Sequence, residues 1–226
     1  MKKILFLFLL FSLSTVNAQN STNWSTSFDI GLTSANNAFT DGYSASNLNN
    51  FSVSLGGRYM FNSDKYTKPF GVQLKGGYSN LISNSGSKDF ETTYYFLNLN
   101  GVVDIQEAFI IPNRNWIRNF SLYTSLGIGV SHYTFDNSAV FSEAYNSFIT
   151  GGDELFSVNL GLTPEYSLSE DVSVYLDLSY NLLAGSNFTI DGNRIASDAD
   201  VNVGAFDPSI FKSSIGITYY ITPANY

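Results

Sequence analysis

Seven charged residues lie within stretches of the sequence in which apolar and polar residues alternate. Each occupies a polar position of its stretch, so in an extended strand its side chain points away from the apolar face. A charged side chain in a confined interior is costly unless an opposite charge pairs with it. We therefore expect a charge network whose main chemistry is ion pairing. Its members are four acids and three bases: Asp29, Arg58, Lys75, Asp104, Glu165, Asp177 and Lys212.

The elements that would position these charges are eight alternating stretches. In the first of them, bulky or apolar residues fall at the even positions from Trp24 to Leu32, and small or polar residues fall between them. A period of two predicts β-strands with one apolar and one polar face. The sequence therefore predicts an all-β fold of eight strands. The stretches span 24–32, 51–61, 70–79, 95–104, 120–131, 156–166, 172–182 and 211–221.

The N-terminal segment has the pattern of a secretory signal peptide. Two lysines follow the first Met, residues 4–13 form an apolar core, and small residues end at Ala18. The apolar run is too short to span a bilayer as a helix. The chain contains no cysteine for lipid attachment. We expect residues 1–18 to be removed and residues 19–226 to form one exported β-barrel domain.

The strands have the length and the connections of a membrane barrel rather than of a soluble sandwich or lipocalin-like barrel. They run for about ten residues, which suits a tilted crossing of a bilayer. Long connections at 33–50, 136–154 and 184–210 alternate with shorter ones, such as the tight turn at 169–171. Long outer loops and mostly short periplasmic turns are typical of outer-membrane barrels. Only a closed barrel would pair every strand edge within the bilayer.

Composition excludes some partners. The chain carries 11 basic and 19 acidic residues, a net charge of −8, and this argues against nucleic acid. The 15 Tyr, 19 Phe and 18 Gly suit a β-protein without disulfides. No pattern indicates a cofactor.

Acidic residues are concentrated in the predicted outer loops. One group offers oxygen atoms that a hard cation such as calcium would bind, namely Asp191, Asn193, Asp198 and Asp200. The spacing matches no EF-hand loop and lacks its terminal Glu. We therefore predict no metal site, with calcium as the alternative. An acidic surface also suits an extracellular protein or a small solute as a loop partner.

Aromatic residues cluster at the predicted strand ends near the periplasm. Amphipathic rings prefer the membrane interface, so these residues predict a periplasmic aromatic girdle. The girdle comprises Trp24, Tyr59, Phe61, Phe70, Trp116, Phe120, Tyr166 and Tyr219.

Residues 22–222 resemble the small eight-stranded outer-membrane proteins grouped with the OmpA transmembrane domain, OmpX and OmpW. The resemblance lies in the strand pattern. The last strand also resembles their assembly signal, with Ser214, Gly216, Tyr219 and Ile221, although five residues follow it. It implies an antiparallel up-and-down transmembrane barrel in the outer membrane of a Gram-negative bacterium, in contact with outer-membrane lipid.

An eight-stranded barrel is just wide enough to be filled by its own side chains. We therefore expect a non-enzymatic, structural and surface-exposed barrel that binds partners or small solutes through its acidic loops. The resemblance to the OmpA barrel implies an alternative, a narrow channel gated by rearranged ion pairs.

Two enzyme-like signals remain. The only histidine, His132, stands two residues before Thr134, and Glu143 follows. This resembles the lipid A deacylases, which have a lipid-facing His two residues before a Ser and a Glu further on, and it implies a hydrolase as a second alternative. The segment 151–155, Gly-Gly-Asp-Glu-Leu, looks like the signature hairpin of diguanylate cyclases, but we interpret it as a turn with two glycines.

Overall fold

Eight antiparallel strands close into one barrel in the computed structural model, each paired with its neighbours in sequence and β8 paired with β1. This confirms the predicted fold. The structure describes residues 24–36, 44–61, 69–83, 90–108, 119–142, 147–169, 171–184 and 208–221. The strands are β1 (Trp24–Asn36), β2 (Asn50–Met60), β3 (Phe70–Ile82), β4 (Glu91–Asp104), β5 (Phe120–Ser142), β6 (Ser147–Ser167), β7 (Val172–Ala184) and β8 (Ser209–Tyr220).

The outer wall of the barrel is a belt of exposed apolar side chains. Over most of the strand residues whose burial is described, outward-facing residues alternate with residues buried inside, as the period of two predicts. Ile215 exposes 68% of its surface and Leu55 exposes 64%. A contiguous apolar belt of this kind is the surface that a lipid bilayer covers.

The predicted girdle lies at the barrel end where β1 begins. Trp24, Phe61, Phe70, Tyr166 and Tyr219 are exposed there, and Tyr59 and Phe120 are partly exposed. The ring centres of Trp24 and Tyr59 are 4.9 Å apart. Trp116 lies outside the described residues.

The interior at the opposite end of the barrel is apolar, which the alternation did not predict. Near this end, apolar residues also occupy inward positions of the strands, and Ala45 of the first connection packs among them. We call this group the apolar cap. It consists of Ala35, Ala45, Leu81, Phe90, Tyr94, Phe96, Tyr133, Leu155, Leu183 and Ile210.

The prediction of a long loop at 136–154 is wrong. Strands β5 and β6 continue as a hairpin to Ser142 and Ser147, with one register irregularity between Asn137 and Phe141. Gly151 and Gly152 therefore lie within β6, opposite β5, and do not form a turn. The backbone ladder between two neighbouring strands does not depend on apolar alternation, so it extends past the point where the sequence pattern fades.

A short helix, α1 (Ile105–Ala108), begins the fourth connection. The carboxylate of Asp104 accepts a hydrogen bond from the backbone N–H of Gln106 at 3.0 Å and so caps the helix. Among the helices of the described ranges, none is long and apolar enough to cross a membrane.

The closed barrel predicts heat-modifiable migration. Because every strand edge is paired, sodium dodecyl sulfate should not unfold the barrel without heating. The mature protein should fractionate with the outer membrane and migrate at a different position on gels before boiling than after it. A sample unfolded in urea and left unheated is the control and should run at the boiled position. Recovery as a freely soluble protein without a mobility shift would contradict the membrane fold.

Candidate functional site

Four charged side chains from four strands meet in the middle of the lumen, and we call them the inner ring. Lys75 Nζ lies 3.0 Å from Asp29 Oδ2 and 2.7 Å from Asp177 Oδ2. Lys212 Nζ lies 2.6 Å from Asp29 Oδ1 and 3.8 Å from Asp177 Oδ2. Each lysine thus contacts both acids, and the two positive charges balance the two negative ones. All four side chains are buried.

Hydroxyl groups add hydrogen bonds to the carboxylate oxygen atoms of the inner ring. Ser54 Oγ donates to Asp29 Oδ1 at 2.7 Å, and Tyr175 Oη donates to Asp29 Oδ2 at 3.0 Å. Thr163 Oγ1 donates to Asp177 Oδ1 at 3.1 Å. Buried ion pairs are stable only when such additional hydrogen bonds offset the loss of hydration. The ring meets this condition for both of its acids.

A glycine allows one of these contacts to form. Gly216 on β8 lies in register between Asp29 on β1 and Tyr175 on β7. The tyrosine ring therefore passes over Gly216 to reach the carboxylate. A Cβ at position 216 would lie 2.4 Å from the Tyr175 ring and 2.5 Å from the Phe28 carbonyl oxygen. The small residues of the polar faces thus make room for long side chains from neighbouring strands.

A second ion pair lies nearer the girdle end of the barrel. Arg58 Nη2 lies 3.0 Å from Glu165 Oε2, and both side chains are buried. The guanidinium carbon of Arg58 lies 4.0 Å from the ring centre of Tyr123, a cation–π contact. Tyr220 donates its hydroxyl to Glu165 and accepts a hydrogen bond from Arg58 at 3.1 Å. Both charges of the pair are thus held by aromatic side chains as well as by each other.

The structure brings six of the seven predicted lumen charges into these two groups. The seventh, Asp104, is also buried, and it lies opposite Tyr123 in the β4–β5 register. Its carboxylate caps α1. Since the six grouped charges cancel, the net negative charge of the chain resides outside the two groups.

An asparagine layer, which sequence analysis missed, lies on the other side of the inner ring. Asn98 Nδ2 and Asn159 Nδ2 donate to Asn181 Oδ1 at 2.9 and 3.1 Å. Ser157 Oγ donates to Asn98 Oδ1 at 3.1 Å. All these residues occupy buried inward positions. Asparagines at inward positions of three predicted strands were the signal that could have revealed the layer.

Between the two charge groups the lumen contains a small polar cavity of about 10 Å³, lined by Arg58, Lys75, Glu165 and Asp177 among others. This volume holds about one water molecule. Arg58 Nε has no hydrogen-bond partner among the described residues. At about 10 Å³, this cavity has no room for a solute larger than water. Ion pairs, the asparagine layer and the apolar cap follow one another along the lumen.

On the outer wall, the structure brings His132 together with a glutamate that sequence analysis did not select. Glu154 on β6 lies directly opposite His132 on β5. The predicted partner, Glu143, lies outside the described residues. Thr134 is exposed and lies opposite Gly152. Cross-strand pairing, rather than distance along the chain, selects the neighbour of the histidine.

The residues of the alternative calcium site lie outside the described residues, since Asp191, Asn193, Asp198 and Asp200 all fall between residues 184 and 208. Within the described ranges, no group of three or more His, Asp or Glu side chains is placed to hold a metal ion.

A closed eight-stranded barrel with an apolar belt, an aromatic rim and a filled polar lumen is the architecture of the small outer-membrane β-barrels. The chain has this fold.

Solved structures of outer-membrane proteins are similar to this chain. Neisserial surface protein A aligns with a TM-score of 0.56 and 11% identity over 90% of this chain and 100% of its own. A major outer membrane protein from Thermus thermophilus aligns with a TM-score of 0.52 and 14% identity, over 87% of this chain and 98% of its own. Ail, the attachment invasion locus protein of Yersinia pestis, aligns with a TM-score of 0.50 and 17% identity, over 89% of this chain and 99% of its own. No protein-family model and no curated protein matches the sequence. Such low identities establish the fold alone.

The inner ring predicts an unequal response to single and paired substitutions. Lys75→Met leaves two carboxylates with one lysine, and it should lower the free energy of unfolding by about 3 kcal/mol. The double variant Lys75→Met/Asp177→Asn restores neutrality and should recover part of this loss. The measurement is the urea concentration at which half of the protein in lipid vesicles is unfolded, with gel mobility as the readout of folding. An unchanged midpoint in the single variant, or a double variant no more stable than the single, would contradict the paired ring.

Proposed function

We propose that the protein is a non-enzymatic outer-membrane barrel of a Gram-negative bacterium, exported through a signal peptide cleaved near Ala18. Its lumen is closed, and its acidic outer loops bind extracellular proteins or small solutes. The observation that carries the proposal is the filled lumen, because the two ion-paired groups, the asparagine layer and the apolar cap occupy it in series.

The loops carry the functional surface in this proposal. The grouped lumen charges cancel, so the excess of acids that gives the chain its net charge of −8 lies elsewhere. Acidic residues are concentrated in the outer connections, where a negative field attracts basic partners and repels other acidic surfaces. A barrel of this architecture occurs in Ail, which is named the attachment invasion locus protein. The fold itself does not specify the partner.

A gated channel is the alternative that one observation favours. Each lysine of the inner ring contacts both acids, so the pairs can exchange partners without leaving a charge isolated. The small cavity beside the ring would be the start of a water path. The asparagine layer and the apolar cap would still have to move before ions could pass.

Conductance in planar bilayers tests the closed lumen against the gate. We expect the refolded wild-type protein to give no current steps above the membrane baseline. Lys75→Met/Asp177→Asn is the matched variant, and it should stay silent because the apolar cap is intact. Steps in the wild type that become larger or more frequent in this variant would favour the gate and overturn the closed barrel.

A lipid A hydrolase is the remaining alternative, and it is favoured by the carboxylate of Glu154 opposite His132. In such an enzyme His132 would be the general base, Thr134 the nucleophile and a glutamate the group that orients the base. Against it, a threonine hydroxyl is a more hindered nucleophile than that of serine.

Lipid A from expressing cells tests the hydrolase. We expect mass spectra of lipid A to show the same acyl chains with the wild type, with His132→Ala and with an empty vector, because the protein removes none. Loss of an acyl chain in the wild type and its return in His132→Ala would show that the protein is an enzyme. As a control, immunoblots must show that the wild type and His132→Ala are present at equal levels.

A further inference from the structure

Ser213 on β8 is a polar residue on the outer wall of the barrel. It is partly exposed, whereas Lys212 and Ser214 on either side of it are buried. Ser213 lies six residues from the girdle residue Tyr219, about 20 Å along the strand. At a tilt of about 45°, its hydroxyl lies about 14 Å above the girdle, near the middle of an apolar band about 25 Å tall.

The Ser213 hydroxyl has no hydrogen-bond partner among the described residues. Two outward threonines of the belt differ from it, because they bond to carbonyl oxygen atoms of a neighbouring strand. Thr26 Oγ1 donates to Gly56 at 3.3 Å, and Thr124 Oγ1 donates to Gly161 at 3.2 Å. An unsatisfied hydroxyl in hydrocarbon is costly, and acyl chains offer it no acceptor. Ser213 therefore needs a partner that a lipid tail cannot supply.

An apolar depression of about 670 Å³ lies beside Ser213, across the seam between β1 and β8. Leu32 on β1 pairs with Ser213 in register and lines the depression together with Phe28 and Ile215. On the other side of Ser213, Leu178 on β7 pairs with it in register. Ser213 thus lies between an apolar depression and an apolar side chain. We call the outward surface of β7, β8, β1 and β2 the seam face.

We infer that the seam face is an interface between two copies of this chain, which lie side by side in the membrane about a twofold axis beside Ser213. A residue on such an axis meets its own copy, so the two hydroxyls can bond to each other. The axis also sets the β7 side of one copy against the β1 side of the other. Leu178 of each copy then enters the depression of the other. The inference rests on the membrane location proposed above but not on the loop partner.

Charge selects the seam face over the opposite side of the wall. A twofold contact brings side chains close to their own copies, so an acid in the contact would meet a like charge. The described outward residues of β7, β8, β1 and β2 carry no charge. On the opposite side, Glu91 on β4 and Glu154 on β6 are exposed at the loop end. The seam face is therefore the side on which two copies meet without repulsion between wall charges.

The size of the seam face suits a weak, reversible dimer. Four strands at about 4.8 Å spacing and the stretch from Phe211 to Tyr219 give a flat area of about 500 Å² per copy. A specific interface buries about 500 Å² per partner at its lower limit. Association should therefore depend on the concentration of the protein in the membrane or micelle.

Sedimentation equilibrium of the refolded mature protein in density-matched detergent tests the dimer. We expect monomers and dimers in a proportion that depends on the protein-to-detergent ratio. Ser213→Ala should weaken dimerisation about fivefold, the scale of a polar contact between membrane segments. Thr124→Val is the matched control, because it removes an outward hydroxyl from β5, far from the seam face. It should leave dimerisation unchanged.

Cysteine cross-linking in lipid vesicles tests the position of the axis. The chain has no cysteine, so each variant carries a single thiol. With an added oxidant, Ser213→Cys should form a disulfide-linked dimer because this position meets its own copy. Leu97→Cys on β4 is the matched control and should stay monomeric. It is exposed and lies six residues from Val103, which pairs with the girdle residue Phe70.

Monomers at every protein-to-detergent ratio, unchanged dimerisation in Ser213→Ala, or equal cross-linking of the two cysteine variants would overturn the inference. Monomers that retain a bound lipid would assign the depression to an acyl chain and would overturn it as well. Gel mobility before and after boiling confirms that each variant is folded. Failure of the wild type to insert into vesicles would overturn the proposed membrane function itself, whereas insertion as a monomer would overturn only the dimer.

Discussion

The narrowness of an eight-stranded barrel is the constraint on which the rest of the structure depends. Its lumen has space for side chains and little else, so the charged side chains inside it pair with one another. The inner ring shows the consequence, because each of its lysines contacts both of its acids and nearby hydroxyls donate further hydrogen bonds to Asp29. Gly216 belongs to the same solution, since a larger residue would block the tyrosine that crosses it.

The outer wall faces the opposite constraint. In a bilayer, the wall must be apolar and every backbone group must be paired within the barrel. The register closes β1 onto β8 without leaving an edge in the belt. The single alternation of each strand therefore serves two environments, lipid outside and a packed polar interior inside. Among the described residues of the wall, His132 and Glu154 lie opposite each other at the loop end of the apolar belt.

Several layers of side chains lie one after another along the axis of the lumen. The Arg58–Glu165 pair, the inner ring, the asparagine layer and the apolar cap follow one another from the girdle end to the loop end. Exchange of ion pairs alone would leave the last two in place. For this reason, charge rearrangement is a weaker argument for conduction in this barrel than the sequence alone suggested.

The sequence by itself determined the strands, their apolar and polar faces and the charges that enter the lumen. These follow from a local period of two, which any extended strand converts into two faces. It did not determine which charges pair. Arg58 and Glu165 are 107 residues apart, and they meet because the closure and stagger of the barrel bring them to one level.

The same reason explains the other differences. Glu154 rather than Glu143 is the described neighbour of His132, because the β5–β6 register decides which residues face each other. The hairpin beyond residue 136 depends on backbone pairing that side-chain patterns do not encode. The apolar cap forms because inward positions on several strands converge at one end of the barrel. The local alternation can be predicted from the sequence, whereas contacts across the lumen and between strands form only when the barrel closes.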